Sequence, residues 1–209
     1  IKIEIPFMIA VTALLYVQGL DGVVTLMDGA LLAAVFGAYL FYLYIFTKQA
    51  DPTEETEEVA GYPIGQALLW TVAGLALIMA GSNVTVGAAT EIATYAGLSE
   101  RFIGLTIVAL GTSLPELFTS VMAARKGKAD IAIGNIVGSN IFNILFILGM
   151  SAAVSPLVVL NESLIDVVIL IATCVVLFIF ARTKKSMSYK EGLVTVGVYV
   201  AYMIYLFIR

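Results

Sequence analysis

The sequence predicts an all-α membrane protein with seven transmembrane helices. A five-helix repeat over 63–209 is preceded by the last two helices of an inverted repeat. Composition, the spacing of apolar runs and an internal repeat carry that prediction. Of 209 residues, 61% are hydrophobic and 12% are charged, and the mean hydropathy is +1.03. A soluble domain is about half apolar and about a quarter charged. A soluble globular enzyme, a disordered chain and a nucleic-acid binder are therefore excluded. The formal charge of −4 resides in a few short loops. There is no histidine, and the single cysteine, Cys174, lies in an apolar run. Imidazole ligands, thiolate clusters and an intrachain disulfide are therefore all ruled out.

A helix needs about 20 apolar residues to cross the hydrocarbon core. On that basis the spans fall at 5–20, 28–47, 63–81, 102–124, 131–153, 163–181 and 190–208. The first is short. The third runs on through 82–97, a small and polar stretch that reads as the end of one long tilted helix. Alternating crossings put Lys2, Lys48, Arg125, Lys126, Lys128, Arg182, Lys184, Lys185 and Lys190 on one side and only Arg101 and Arg209 on the other. By the positive-inside rule, loops 48–62, 125–130 and 182–189 are cytoplasmic and the C-terminus is outside, in a multi-pass plasma or inner membrane. Residues 49–62, with Asp51, Glu54, Glu55, Glu57 and Glu58, read as a solvated acidic linker. They lack the spaced Asp/Asn and glycine of a structured calcium loop.

The repeat shows as matched residues. Asp28-Gly29 precedes Tyr39 and Tyr42, and Glu191-Gly192 precedes Tyr202 and Tyr205, at a constant offset of 163. Upstream, Ile3-Glu4-Ile5 matches Ile165-Asp166-Val167 at an offset of 162. Residues 1–48 thus read as the two helices that close a first repeat, and 63–209 as a complete second one. Five helices per repeat is odd, so the two copies are expected to have opposite orientation, the plan of many secondary transporters. On this reading the chain lacks the first three helices of its parent.

Two spans carry residues that lipid disfavours. In Gly104–Ser120, Glu116 lies near the middle, where an acidic group costs roughly 2.5–3.5 kcal/mol on insertion scales. Pro115 lacks an N–H and clashes with the carbonyl of Gly111, so a break is expected over 111–116 that frees carbonyls around Ala109–Thr112. In the next span Asn135, Ser139 and Asn143 recur at i, i+4 and i+8, on one helix face. Gly134 and Gly138 have the spacing that lets membrane helices approach closely. A second break is expected over 134–143. Hydroxyls, carbonyls and one carboxylate are hard oxygen ligands, suited to Ca²⁺ or Na⁺ rather than to a softer metal. Glu91, Asp28, Asp166 and Glu4 lie near span ends and read as solvated or interfacial. With no nucleophile–base pair and no metal triad, an enzyme is not expected.

Gly104-Leu-Thr-Ile-Val-Ala-Leu-Gly-Thr-Ser-Leu-Pro-Glu116 and Asp130-Ile-Ala-Ile-Gly-Asn-Ile-Val-Gly-Ser-Asn-Ile-Phe-Asn143 closely resemble the second alpha repeat of the cation/calcium antiporter superfamily, in particular prokaryotic sodium/calcium exchangers. The resemblance implies ten helices in two inverted repeats, with four cation sites between the broken helices of both halves. It implies Glu116 as this half's carboxylate ligand for transported Ca²⁺ and Na⁺. Thr112 and Ser113 would supply hydroxyls, Ala109 a carbonyl, and Ser139 and Asn143 would contribute from the partner helix. It implies no required cofactor, and a long third helix that slides to switch access. Several relatives carry Asp where this chain has Asn143, which leaves the counter-ion open between Na⁺, H⁺ and K⁺. One carboxylate cannot balance Ca²⁺. The expected partners are therefore the ions, the bilayer, and either the missing first half or a second copy of the chain.

Overall fold

A computed structural model of the chain describes residues 3–49, 63–183 and 188–209. The acidic linker from residue 50 onward, Lys2, Lys184 and Lys185 lie outside the described residues. The elements in chain order are α1 (Glu4–Gly19), β1 (Val23–Val24), α2 (Leu26–Gln49), α3 (Ile64–Tyr95) and α4 (Glu100–Ile103). Then come a π-helical turn, π1 (Gly104–Val108), and α5 (Ala109–Thr112), α6 (Leu114–Arg125) and α7 (Ala129–Phe142). A second turn, π2 (Asn143–Leu148), leads into α8 (Gly149–Val154), β2 (Leu157–Val158), α9 (Asn161–Thr183) and α10 (Tyr189–Ile208).

Every span expected from the sequence is helical. Among the described residues five helices are individually long and apolar enough to cross a membrane, and the bent pair Gly104–Thr112 with Leu114–Arg125 makes a sixth. α1, with 16 residues, is the short apolar one. The 32 residues of α3 form one unbroken helix. At 1.5 Å per residue that is about 48 Å, against a hydrocarbon core of about 30 Å, so it can span only if tilted or projecting.

Two compact units share the chain: Ile1–Ala50 with Gly127–Tyr199, and Asp51–Lys126 with Val200–Arg209. They cut across the sequence repeat, because an apolar helix packs on whichever neighbour buries its face and not on its nearest relative in sequence.

The first unit has a continuous core of Ile5, Met8, Val11, Leu32, Val137, Ile141, Ile144, Leu145 and Cys174. These residues come from α1, α2, α7, π2 and α9. Gly29 and Gly149 make a close backbone approach: a Cβ on Gly29 would meet the Gly149 carbonyl oxygen at 2.6 Å. α2 and α8 therefore cross at close range through the Gly29 and Gly149 backbones, with the Cβ atoms of Ala152 and Leu32 beside them, the use of small residues that membrane helix packing favours. Gly22 takes a positive φ of 87° to turn the chain out of α1. The turn leads into a short antiparallel ribbon pairing Val23 with Val158 and Val24 with Leu157. The ribbon ties the α1–α2 connection to the α8–α9 connection.

α2 and α10 begin with the same device. The Asp28 carboxylate accepts from the Thr25 N–H at 2.8 Å and from its hydroxyl at 2.6 Å, while the Asp28 N–H faces the Thr25 hydroxyl oxygen at 3.4 Å. At the start of α10, Glu191 accepts from the Ser188 N–H at 2.6 Å and its hydroxyl at 2.8 Å, with the same 3.4 Å return contact. These are reciprocal capping boxes. They lie 163 residues apart, the offset of the sequence repeat. Asp28 and Glu191 thus serve as helix caps.

The second unit is α3 packed along π1, α5 and α6. A Cβ on buried Gly111 would overlap the Val86 side chain, so the absent side chain at 111 is what lets α3 lie against α5.

Candidate functional site

The site is built on the interruption at Ser113. An α-helix would send the Ser113 N–H to Ala109. It donates instead to the Leu110 carbonyl at 3.1 Å, and Ser113 sits at φ −92°, ψ 0°. Pro115 explains the switch: it cannot donate to Gly111, and its ring is best accommodated in the first turn of a new helix. The two segments meet at a bend of 50°.

The bend redistributes oxygens. The Ala109 carbonyl, deprived of its α-helical N–H, accepts the Thr112 hydroxyl at 2.9 Å. A hydroxyl that donates to a carbonyl presents its own lone pairs outward, and a carbonyl keeps a second lone pair. Ala109 and Thr112 therefore form a linked pair of neutral oxygen acceptors. The Ser113 carbonyl is taken up by the Leu117 N–H at 2.9 Å, which starts α6. Glu116 falls in the first turn of α6, half-buried, with its Oε2 shielded from solvent. Helix N-terminal N–H dipoles favour a carboxylate there. Upstream, π1 adds a residue to the helical turn: the Ala109 N–H reaches back to the Gly104 carbonyl, and the Thr106 hydroxyl donates to the Phe102 carbonyl at 2.6 Å. One inserted residue rotates the following face by about 100°. π1 therefore sets which way Ala109 and Thr112 face.

Ser139 and Asn143 belong to the other unit. The break expected over 134–143 is not present. No proline removes a donor there, and α7 continues to Phe142, with the departure from α geometry coming at π2, from Asn143 onward. Asn143 keeps helical angles of φ −62°, ψ −41°, so Asn135, Ser139 and Asn143 stay on one face. The Ser139 hydroxyl and the Asn140 side-chain amide both donate to the Ile136 carbonyl, at 3.0 and 2.8 Å. The Ser139 oxygen thus keeps its lone pairs outward, like that of Thr112. Ala109, Thr112, Ser113 and Glu116 are therefore gathered on one bend, and Ser139 and Asn143 on one helix face of the other unit.

Among the described residues, no three His, Cys, Asp or Glu side chains converge. Sequence reasoning missed Gly111, whose role depends on Val86, a partner 25 residues earlier in the chain. Glycine two residues before the Ser-Leu-Pro-Glu break is the only local signal. It also missed the two π turns, which apolar sequences such as Asn143–Leu148 do not announce.

Residues 66–208 match the family model described as sodium/calcium exchanger protein. The chain belongs to the sodium/calcium exchanger family. It is 37% identical, over 99% of its own length and 68% of the relative's, to a putative antiporter CaxA from Alkalimonas amylolytica. It is 42% identical to the sodium/calcium exchanger MaX1 from Methanosarcina acetivorans, over 65% of the chain and 39% of that protein. The fold matches solved structures of the sodium-calcium exchanger NCX_Mj with a TM-score of 0.78 at 26% identity, covering 97% of this chain and 65% of that one. The chain thus spans between about two fifths and two thirds of these relatives. As a member of an exchanger family it is a multi-pass membrane chain, and the relatives named are transporters rather than enzymes.

Proposed function

We propose that this chain is the larger part of a secondary active antiporter that exchanges cytoplasmic Ca²⁺ for Na⁺. The observation that carries the reading is the 50° bend at Ser113, which releases the Ala109 carbonyl, orients the Thr112 hydroxyl and puts Glu116 in a helix first turn. In this reading Glu116 supplies charge and Ala109, Thr112 and Ser113 supply neutral oxygens, while Ser139 and Asn143 are further candidate ligands named by the family motif. Residues 63–209 act as the second repeat, and 1–48 as the closing pair of the first. Loops 48–62, 125–130 and 182–189 face the cytoplasm. One carboxylate cannot neutralise Ca²⁺, so the first-half ligands must come from helices upstream of Ile1 or from a second chain.

Neutral Asn143 favours a second reading, in which K⁺ or H⁺ shares the coupling. The test is Ca²⁺ uptake into proteoliposomes driven in turn by Na⁺, K⁺ and pH gradients, using the complete open reading frame that contains this chain. Na⁺-driven uptake that Glu116→Gln abolishes is expected, and undiminished uptake in Glu116→Gln refutes the site. The 209-residue chain alone is expected to give no flux. Robust Na⁺-driven flux from it as a monomer would overturn the fragment reading but not the site.

A further inference from the structure

We propose that the cavity between α3 and α6 binds a small uncharged amphiphile from the bilayer, an alkyl body carrying one hydroxyl or carbonyl group. The cavity has a volume of about 350 Å³, within the roughly 300–1,000 Å³ of small-molecule pockets. On α3 it is lined by Leu77, Ile78, Gly81, Ser82 and Thr85, and on α6 by Leu114 and Phe118, all in the second unit. The α3 residues recur at i, i+1, i+4, i+5 and i+8, one helix face. Leu114 and Phe118 stand one turn apart, and Glu116 lies about 200° around α6 from Leu114. The cavity is therefore on the side of α6 away from that carboxylate, and it is separate from the proposed cation ligands. The bend explains why the space exists. α3 meets α5 closely at Val86 on Gly111, and past the 50° break at Ser113 the chain no longer follows that line.

Ser82 selects the polar group of the occupant. It is only 8% exposed, yet its hydroxyl has no hydrogen-bond partner among the described residues. Thr71, Thr85 and Thr94 of the same helix each donate to the carbonyl four residues earlier, at 2.8 Å. A buried hydroxyl left unpaired is costly, and this one can both donate and accept. One turn on, Thr85 has given its proton to the Gly81 carbonyl and keeps its lone pairs. Among the described residues that line the cavity none is charged, so an ion would enter without a partner. Residues 77–85 lie about midway along the 32-residue α3, at the depth of acyl chains, so the ligand arrives through the lipid. Size completes the description. At the roughly 30 Å³ that one water takes in the liquid, 350 Å³ holds about ten to twelve small groups. An alkyl body against Leu77, Leu114 and Phe118, with one oxygen at Ser82, satisfies all three conditions.

The test is photolabelling of the complete open reading frame that contains this chain, in nanodiscs, with a diazirine derivative of 1-octanol. The matching diazirine derivative of octane, which lacks the hydroxyl, is the comparison, and labelled peptides are read by mass spectrometry. Saturable labelling of 77–85 and 114–118, competed by unlabelled 1-octanol, is expected, with weaker labelling by the octane probe. Ser82→Ala is expected to weaken octanol labelling about two- to tenfold, the scale of one neutral hydrogen bond, and to leave octane labelling unchanged. A Cβ on Gly81 meets nothing within 4 Å, so the side chain of Gly81→Leu enters the cavity without a clash and is expected to abolish labelling by both probes. Gly74 is equally open but does not line the cavity, and Gly74→Leu is expected to label as the wild type does. Circular dichroism checks that each variant is helical, and Ser82→Ala carries the test if Gly81→Leu does not fold. Labelling needs no ion flux, so loss of the exchange reading would leave this result standing. Labelling that does not saturate, that survives in folded Gly81→Leu, or that falls equally in Gly74→Leu would overturn the site. Equal labelling by the two probes, or undiminished octanol labelling in Ser82→Ala, would overturn the ligand class.

Discussion

Replacing Gly29 by alanine is expected to destabilise the first unit, by an amount the geometry sets. The new Cβ would stand 2.6 Å from the Gly149 carbonyl oxygen, 3.0 Å from the Ala152 Cβ and 3.2 Å from the Ala153 nitrogen. A carbon–oxygen contact normally lies at about 3.3–3.6 Å, so α2 and α8 must separate by about 0.7–1.0 Å. None of the three atoms is the end of a flexible side chain that could swing aside. A gap of about 0.5–1 Å forfeits a quarter to a half of the dispersion energy of the contacts it opens. Those contacts include fully buried Leu32, which touches Gly149 and helps to close the core. Overpacking of this kind costs about 1–3 kcal/mol. Gly149→Ala meets its nearest neighbours at 3.2 Å and is expected to cost less. Gly37, in the same helix as Gly29, has nothing within 4 Å of a built Cβ. Gly37→Ala is expected to stabilise by about 0.5–1 kcal/mol through lost backbone entropy in the unfolded chain. Detergent-titrated unfolding followed by circular dichroism reads all three. A Gly29→Ala variant as stable as Gly37→Ala would refute the argument that α2 and α8 meet backbone to backbone.

Gly111→Ala is expected to lose stability and Ca²⁺ binding together, because its Cβ overlaps Val86; adding Val86→Ala should restore much of both, and a double-mutant cycle on thermal unfolding with no coupling would count against the contact. Asp28→Ala and Glu191→Ala each remove a reciprocal cap, and each is expected to cost about 0.5–2 kcal/mol in the same unfolding assay; the 163-residue repeat predicts similar losses, and an effect confined to one helix would show that the two caps are not equivalent. Pro115→Ala restores a backbone donor toward Gly111 and is expected to straighten the 50° bend and weaken Ca²⁺ binding, measured by isothermal titration alongside an interhelical spin-label distance; a straightened helix with unchanged affinity would separate the bend from the site.

The membrane class, the spans and the break near Glu116 were legible in the chain because each has a local cause. An apolar run of about 20 residues needs no partner to be recognised, and Pro115 lacks its N–H whatever surrounds it. The repeat was legible as an acid-glycine pair followed by two tyrosines at a constant offset of 163, whereas the capping by Asp28 and Glu191, read as interfacial or not singled out, emerged only from the structure. The expected break over 134–143 misread glycine and asparagine, which a membrane helix tolerates where proline is absent, as breakers.

What local sequence could not decide is which helices share a core. α7 and α9 pack with α1 and α2, across the repeat boundary. The reason is that membrane helices gain little from hydrophobicity as such, since lipid is as apolar as they are. Their partners are chosen by close fit, as at Gly29 on Gly149 and Gly111 under Val86. Such a fit joins residues far apart in the chain and exists only once the helices meet. Chemistry and length along the chain therefore settled that this protein lives in a bilayer and where the bend beside Glu116 lies, while steric complementarity in three dimensions settled how the helices on either side of such features are held.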